Sequence, residues 1–148
     1  MTSAVLSYVD GDDQFHLTDE KLDITKAYEG VQTDSAGAIS SFIGTTRDNF
    51  EGKRVTSLVY EAFPEMAIEE MKKIVQQIRN QWPVSKIYIA HKIGSCPVGD
   101  ISVIIFVSSE HRVEALKAVQ FAIDALKATV PIWKKVSEPC LYFFSKNL

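Results

Sequence analysis

From Ala38 onward the apolar positions repeat at strand spacing, then at helical spacing, and then through the same cycle again. Ala38–Ile43 reads as a strand that stops at Gly44. Arg54–Glu61, with Val55, Leu58 and Tyr60 apolar, reads as a second strand. Between them the polar segment Thr45–Lys53 predicts a loop that carries Arg47. Pro64 suits the first turn of a helix, where its missing N–H is not needed. Ala67, Met71, Ile74, Val75, Ile78 and Trp82 then recur at helical spacing, Glu69 and Glu70 oppose Lys72 and Lys73 on the polar side, and Pro83 closes the segment. Lys86–His91 predicts a third strand and Ile101–Val107 a fourth, the most buried, with turns around Gly94 and Pro97–Asp100 between them. Ser108 or Ser109 is the expected cap of a second long helix, with Glu110 in its first turn. Leu116, Val119, Ile123, Leu126 and Val130 form its apolar stripe, and Pro131 ends it. Trp133–Val136 and Leu141–Phe144 predict two short closing strands.

Residues 1–36 are less regular. Phe15 and Leu17 predict a short strand, and Thr18-Asp19-Glu20 a helix start with Leu22, Ile24 and Tyr28 as its apolar anchors. Gly30 and the stretch from Thr33 to Gly37 mark turns. The order strand, strand, helix, strand, strand, helix, strand argues for an α+β fold, a two-layer sandwich of two long helices on one antiparallel or mixed sheet. The 148 residues suit a single domain.

Composition narrows the functional classes. With 46% hydrophobic and 24% charged residues, the chain has the balance of a folded globule. The net charge of −3 disfavours bulk attraction to nucleic acid or to an anionic membrane. No apolar run approaches the ~20 residues of a membrane span, and the first residues lack a basic segment and a long apolar core. The two cysteines, Cys96 and Cys140, are far apart and belong to no metal-ligand spacing, so a reducing cytosol is expected, without a resident metal or cofactor.

Five cations stand out. His111 and Arg112 open the second long helix, where the helix dipole is already positive and acids are the usual choice. Free backbone N–H groups there, with His111 and Arg112, make a receptor for an anion. Arg112 also points near the centre of the apolar stripe, so it is expected to meet either such an anion or a carboxylate such as Glu61 or Asp100. Lys127 sits at the edge of the stripe, whereas Lys117 points well away. Lys134 follows seven residues after Lys127, beyond the Pro131 break, so the two amines can converge on one pocket. Desolvated lysines act as acid, base or nucleophile; lysines at a helix C-terminus also serve simply to satisfy carbonyls. Arg47 is the fifth, in a loop at a strand end. His91 reads as a satisfied core histidine and Cys96 as packing. Phe121, opposite the stripe, suggests a subunit contact. On pattern alone a non-catalytic anion-binding or scaffold module fits as well as an enzyme.

A set of strings between Ala38 and Lys135 is more specific: Phe42-Ile-Gly-Thr-Thr-Arg47-Asp48, Leu58-Val-Tyr-Glu61-Ala, Met66-Ala67, Ala90-His-Lys-Ile-Gly94, Pro97-Val-Gly-Asp100, Val107-Ser-Ser-Glu-His-Arg112 and Leu126-Lys-Ala-Thr-Val-Pro-Ile-Trp-Lys-Lys135. In these the chain resembles the catalytic, large-subunit family of molybdopterin synthase, in its eukaryotic-like form. Residues 1–36 and the tail 137–148 lie outside the resemblance. It implies a hammerhead-like α/β domain with a small added β subdomain. The implied activity is conversion of cyclic pyranopterin monophosphate (precursor Z) into molybdopterin by insertion of a dithiolene. The sulfur would come from the thiocarboxylated Gly-Gly terminus of a small ubiquitin-like subunit, so neither cysteine of this chain is needed. A homodimer at the centre of a heterotetramer is the implied assembly. Residue by residue, Lys127 and Lys134 match the catalytic lysines, and Arg47, His111 and Arg112 match cationic residues that bind the substrate. Lys92 stands where arginine is usual and Val136 where glutamate is usual, and the tail after it departs from the family pattern.

Overall fold

The computed structural model of the chain describes residues 4–137 and 142–146. β1 (Ala4–Asp10) and β2 (Asp13–Thr18) form a hairpin whose tight turn places Gly11 at φ 53°. α1 (Ile24–Val31) follows, then β3 (Ala38–Thr45), a small hairpin of β4 (Asn49–Phe50) and β5 (Lys53–Arg54), and β6 (Ser57–Ala62). α2 (Pro64–Gln81), β7 (Val84–Lys92), β8 (Gly94–Pro97) and β9 (Ile101–Ser109) come next. The described elements end with α3 (Arg112–Thr129), β10 (Ile132–Ser137) and β11 (Tyr142–Lys146). A five-stranded sheet runs in the order β1-β2-β7-β9-β3, antiparallel except where β2 lies parallel to β7. A second sheet runs in the order β11-β10-β6-β8, and its Leu58, Tyr60, Cys96 and Ile132 join the main core. The α+β expectation holds.

The two faces of the large sheet are separated by residue parity. On β9, Val103, Ile105 and Val107 join Ile87 and Ile89 of β7 in the main core with α2 and α3. Ile104 and Phe106, with Tyr88 and Ala90, pack instead on Ala27 and Val31 of α1. Helices therefore cover both faces, which is why Val103–Val107 is a continuous apolar run and not an alternating one. The short α1 adds a third layer to the sandwich expected from the sequence.

Local differences from the sequence reading have physical causes. α1 starts at Ile24, not near Thr18, because Thr18 is held in the β2–β7 ladder and Asp23 caps the helix, accepting from the N–H groups of Thr25 and Lys26. Its buried residues are Ala27 and Val31, while Ile24 and Tyr28 are exposed. β1 and the β4–β5 hairpin fall in segments read as leader and loop. Ser108 and Ser109 do not cap α3. Both belong to β9, where the Ser108 hydroxyl accepts from the Lys86 N–H and that of Ser109 donates to the His111 carbonyl; His111 is the cap residue. The buried side of α3 is Ala115, Ala118, Val119, Ala122, Ile123 and Leu126, with Leu116 57% exposed. Alanines bring the helix close to the sheet, a contact that a search for large apolar residues overlooks. Phe121, half-buried, makes an apolar contact within the chain: its ring meets Trp82 edge-on at 5.8 Å, joining α3 to the end of α2. The closing strand expected from Leu141 begins at Tyr142, with Leu141 and Cys140 outside the described residues.

His91 and Cys96 are structural, as their surroundings in the pattern suggested. The Cys96 thiol is buried and accepts from the Thr46 hydroxyl. His91 is 1% exposed, packs edge-on against Tyr60, and donates from Nδ1 to the Lys92 carbonyl at 2.7 Å. Burial pushes its pKa down to about 4, against the smaller opposing effect of that hydrogen bond. The unfolded chain therefore binds a proton at His91 between about pH 6.5 and 4 that the folded chain refuses. Its contribution is complete above pH 6.5 and is lost as the pH falls toward 4, a loss of about 3 kcal/mol. Urea unfolding across this range is expected to show that decline, and His91→Gln to remove most of its slope.

Candidate active site

One cavity of about 390 Å³ opens between the end of β3, the β4–β5 hairpin, β6, the start of β9, the last turns of α3, and β10. Its floor is apolar, built from Phe42, Val55, Leu58, Ile123 and Leu126. Among the described residues Arg47, Lys127 and Lys134 line it, and no carboxylate does. A second cavity of about 410 Å³, on the α1 side, sets Lys21 and Lys26 against Glu20, Asp23 and Glu29 and so has no such imbalance. The described lining of the first cavity is cationic; that of the second has its charges compensated.

Each cation reaches the cavity by a different route. Arg47 is exposed on the loop after β3, whose neighbour Thr46 is anchored by its N–H to the Asp100 carbonyl at 3.0 Å. Lys127 sits half-buried in the last turn of α3, where the carbonyl end of the helix favours a positive charge. Lys134 projects from β10, in register with Tyr60 of β6, and is 5% exposed. Burial lowers the pKa of its amine, and the charges of Arg47 and Lys127 lower it further against partial opposition from Glu51. No carboxylate among the described residues pairs with it. Its ammonium lies 4.3 Å from the centre of the Phe50 ring. Tyr60, also on the wall, is pushed up to about 12 by burial, and so stays a neutral hydrogen-bonding phenol.

His111 and Arg112 do not line this cavity. α3 returns antiparallel to β9 in space, so its two ends lie at opposite ends of the sheet. Fifteen residues separate Arg112 from Lys127, about 22 Å of helix. Arg112 is exposed and thus needs neither Glu61 nor Asp100 as a buried partner; its place on the helical wheel did not show that the first turn is open to solvent. The contact of His111 with Glu110, at 3.9 Å, is likewise exposed. Lys92 is 6% exposed and lines a separate small cavity with Asp100. Sequence reasoning missed Asn49 and Phe50, since it took their segment for an irregular loop. Glu51-Gly52 was the available signal, a pair of residues able to adopt positive φ in a tight hairpin turn.

The MoaE protein family model matches residues 17–129. The chain belongs to the MoaE family. It is 52% identical over 123 residues to the molybdopterin synthase catalytic subunit of Homo sapiens, a match that covers 83% of this chain and 65% of the human one. With the same-named subunit of Taeniopygia guttata it shares 52% identity over 136 residues, 91% of this chain and 88% of the relative. The crystal structure of molybdopterin synthase from Staphylococcus aureus superposes with a TM-score of 0.84 at 32% identity, covering 88% of this chain and 96% of that one. This MoaE chain therefore spans just under two thirds of the human relative's length. Arg47, His111, Arg112 and Lys127 lie inside the MoaE match and Lys134 just beyond it. Among the described residues no helix is long and apolar enough to cross a membrane.

Gly44 shapes the MoaE cavity wall. Its carbonyl accepts from the Ser102 hydroxyl at 3.2 Å, and a Cβ there would lie 2.7 Å from Val103 Cγ1 and 3.2 Å from the Phe42 ring. Gly44→Ala must displace one of these groups, at a cost of about 1–3 kcal/mol. A lowered melting temperature, by roughly 2–4 °C per kcal/mol, is the expected outcome in a thermal scan.

Proposed function

We propose that this chain is the catalytic large subunit of a molybdopterin synthase. It transfers sulfur from the thiocarboxylated C-terminus of a small ubiquitin-like subunit to cyclic pyranopterin monophosphate, forming the dithiolene of molybdopterin in the cytosol. The observation that carries this reading is the convergence of Arg47, Lys127 and Lys134 on one cavity with an apolar floor and, among the described residues, no carboxylate in its lining. Both reactants are anions, one through a phosphate and the other through a thiocarboxylate, and both are attracted to such a site. The aromatic side chain of Phe42 supplies a flat surface for a pterin ring. Lys127 and Lys134 are the catalytic amines. The amine of Lys134, its pKa lowered by burial and by its cationic neighbours, gives up its proton more readily than an ordinary lysine amine. The names of the relatives support the same reading. A scaffold module gives no reason for two lysines to share one desolvated pocket.

His111 and Arg112 enter this reading through a second copy of the chain. Within one chain they stand at the wrong end of α3 for the cavity, beside exposed Val113 and Leu116, which offer apolar contact to another protomer. In a homodimer the His111 and Arg112 of one copy complete the site of the other. Chains carrying Arg112→Ala and chains carrying Lys127→Ala, each inactive alone, are then expected to recover activity when mixed and refolded together. Failure of the mixture to recover counts against a shared site.

The decisive assay is turnover of precursor Z with thiocarboxylated small subunit. Lys127→Ala is expected to lower it by about 10²–10⁴-fold while the melting temperature moves little, because general acid–base groups contribute on that scale. Lys134→Ala is expected to fall in the same direction. Lys117→Ala, on the exposed side of α3, is the neutral control. Near wild-type turnover in Lys127→Ala would return this lysine to a structural role.

A further inference from the structure

The β4–β5 hairpin is more ordered than its two short strands suggest. Asn49 pairs with Arg54 and Phe50 with Lys53, and the Val55 N–H closes the base on the Asp48 carbonyl at 2.8 Å. Its turn is Glu51-Gly52, with φ of 51° and 79°. Positive φ at both central residues is the turn that matches the twist of paired strands, and glycine adopts it freely while glutamate resists it. The chain thus holds a non-glycine residue in an unfavourable conformation, and the residue preceding it is Phe50 on the cavity wall.

We infer that Phe50 is a positioning residue for the Lys134 amine, its ring face holding the ammonium in the cavity in place of a carboxylate. This rests on the reading of the cavity as the sulfur-transfer site. The ring centre lies 4.3 Å from Nζ, well within the range of cation–π attraction. The choice of partner has a chemical consequence. A carboxylate at the same place would occupy the ammonium hydrogens, hold the proton on nitrogen and repel an anionic reactant. An aromatic face steadies the cation, repels no anion through a net charge, and leaves N–H donors for the ligand. It also keeps water from one side of the amine. The other charged groups acting on Lys134 are Arg47 from the loop, Lys127 from α3 and Glu51 from the hairpin turn, with neutral Tyr60 beside it on β6. Phe50 is thus the contact that holds this amine without neutralising it.

The test compares Phe50→Leu, which keeps apolar bulk and removes the ring face, with Phe50→Tyr, which keeps the face. Turnover of precursor Z with thiocarboxylated small subunit is measured across pH. In parallel the titration of Lys134 is followed by NMR on protein carrying ¹³C at the lysine ε-carbons, its signal assigned by Lys134→Arg. For Phe50→Leu the expected result is a kcat about tenfold lower with little change in KM, and a Lys134 titration moved to lower pH, its acid constant about three- to tenfold larger. Phe50→Tyr is expected to restore both. If Phe50→Leu matches wild type in kcat and in titration, the inference is overturned. If Phe50→Leu loses stability, Phe50→Tyr must be folded with wild-type kcat and titration; a folded Phe50→Tyr that lacks either overturns it as well. Failure of the underlying reading is separately visible, because Lys134→Ala would then leave turnover intact.

Discussion

Strand β9 is covered by helices on both faces, and the position of each functional side chain follows from that burial. Val103, Ile105 and Val107 must face α2 and α3, while Ile104 and Phe106 must face α1. A slip of one residue would exchange the two sets, so the register is tightly held. That register lays β3 along β9 from Ala38 opposite Ser109 to Thr45 opposite Ile101, and so determines where β3 ends and the Arg47 loop begins. α3 follows β9 after a short turn and runs back over the same face, which returns its C-terminal turn, with Lys127, to the end where β9 started. The same geometry carries His111 and Arg112 away from the cavity.

The cavity gathers like charges in a place that penalises them. Arg47 and Lys127 oppose protonation of Lys134, and burial opposes it more strongly. Elsewhere the protein behaves differently: Arg79 is bound to Asp13 at 2.6 Å, and Lys72 and Lys73 pair with glutamates one turn earlier on α2. These three cations are thus compensated, whereas no carboxylate among the described residues pairs with Lys134. Such concentrated strain is what a site awaiting an anionic ligand is expected to show. The β4–β5 hairpin belongs to the same arrangement, since it brings an aromatic face, and not an acid, against the most buried amine.

Much of this was legible before any coordinates. The periods of 2 and 3.6 in the apolar pattern gave the two long helices and the main strands, because each period follows from the backbone geometry of its own segment. Pro64, Pro83 and Pro131 marked helix ends by local sterics. His91 was legible as a core residue from the strand around it. The pattern was misleading where small residues carry the packing, as with the alanines of α3. It also misled where a strand edge decides an element's start, as at Thr18, and where a hairpin is too short to show a period, as at Asn49–Arg54.

The candidate site divides in the same way. Sequence by itself determined which side chains carry unexplained positive charge and, through the strings from Phe42 to Lys135, the family they resemble. Tertiary structure decided which of those cations meet. Arg47, Lys127 and Lys134 lie on a loop, a helix and a strand that come together only through the long-range pairing of β3 with β9 and β10 with β6. Phe121 turned inward onto Trp82, Arg112 turned out to be solvated, and Phe50 came to rest on Lys134 for the same reason. A residue's periodicity is a property of its own few turns of chain, whereas its burial and its neighbours depend on segments far away in sequence.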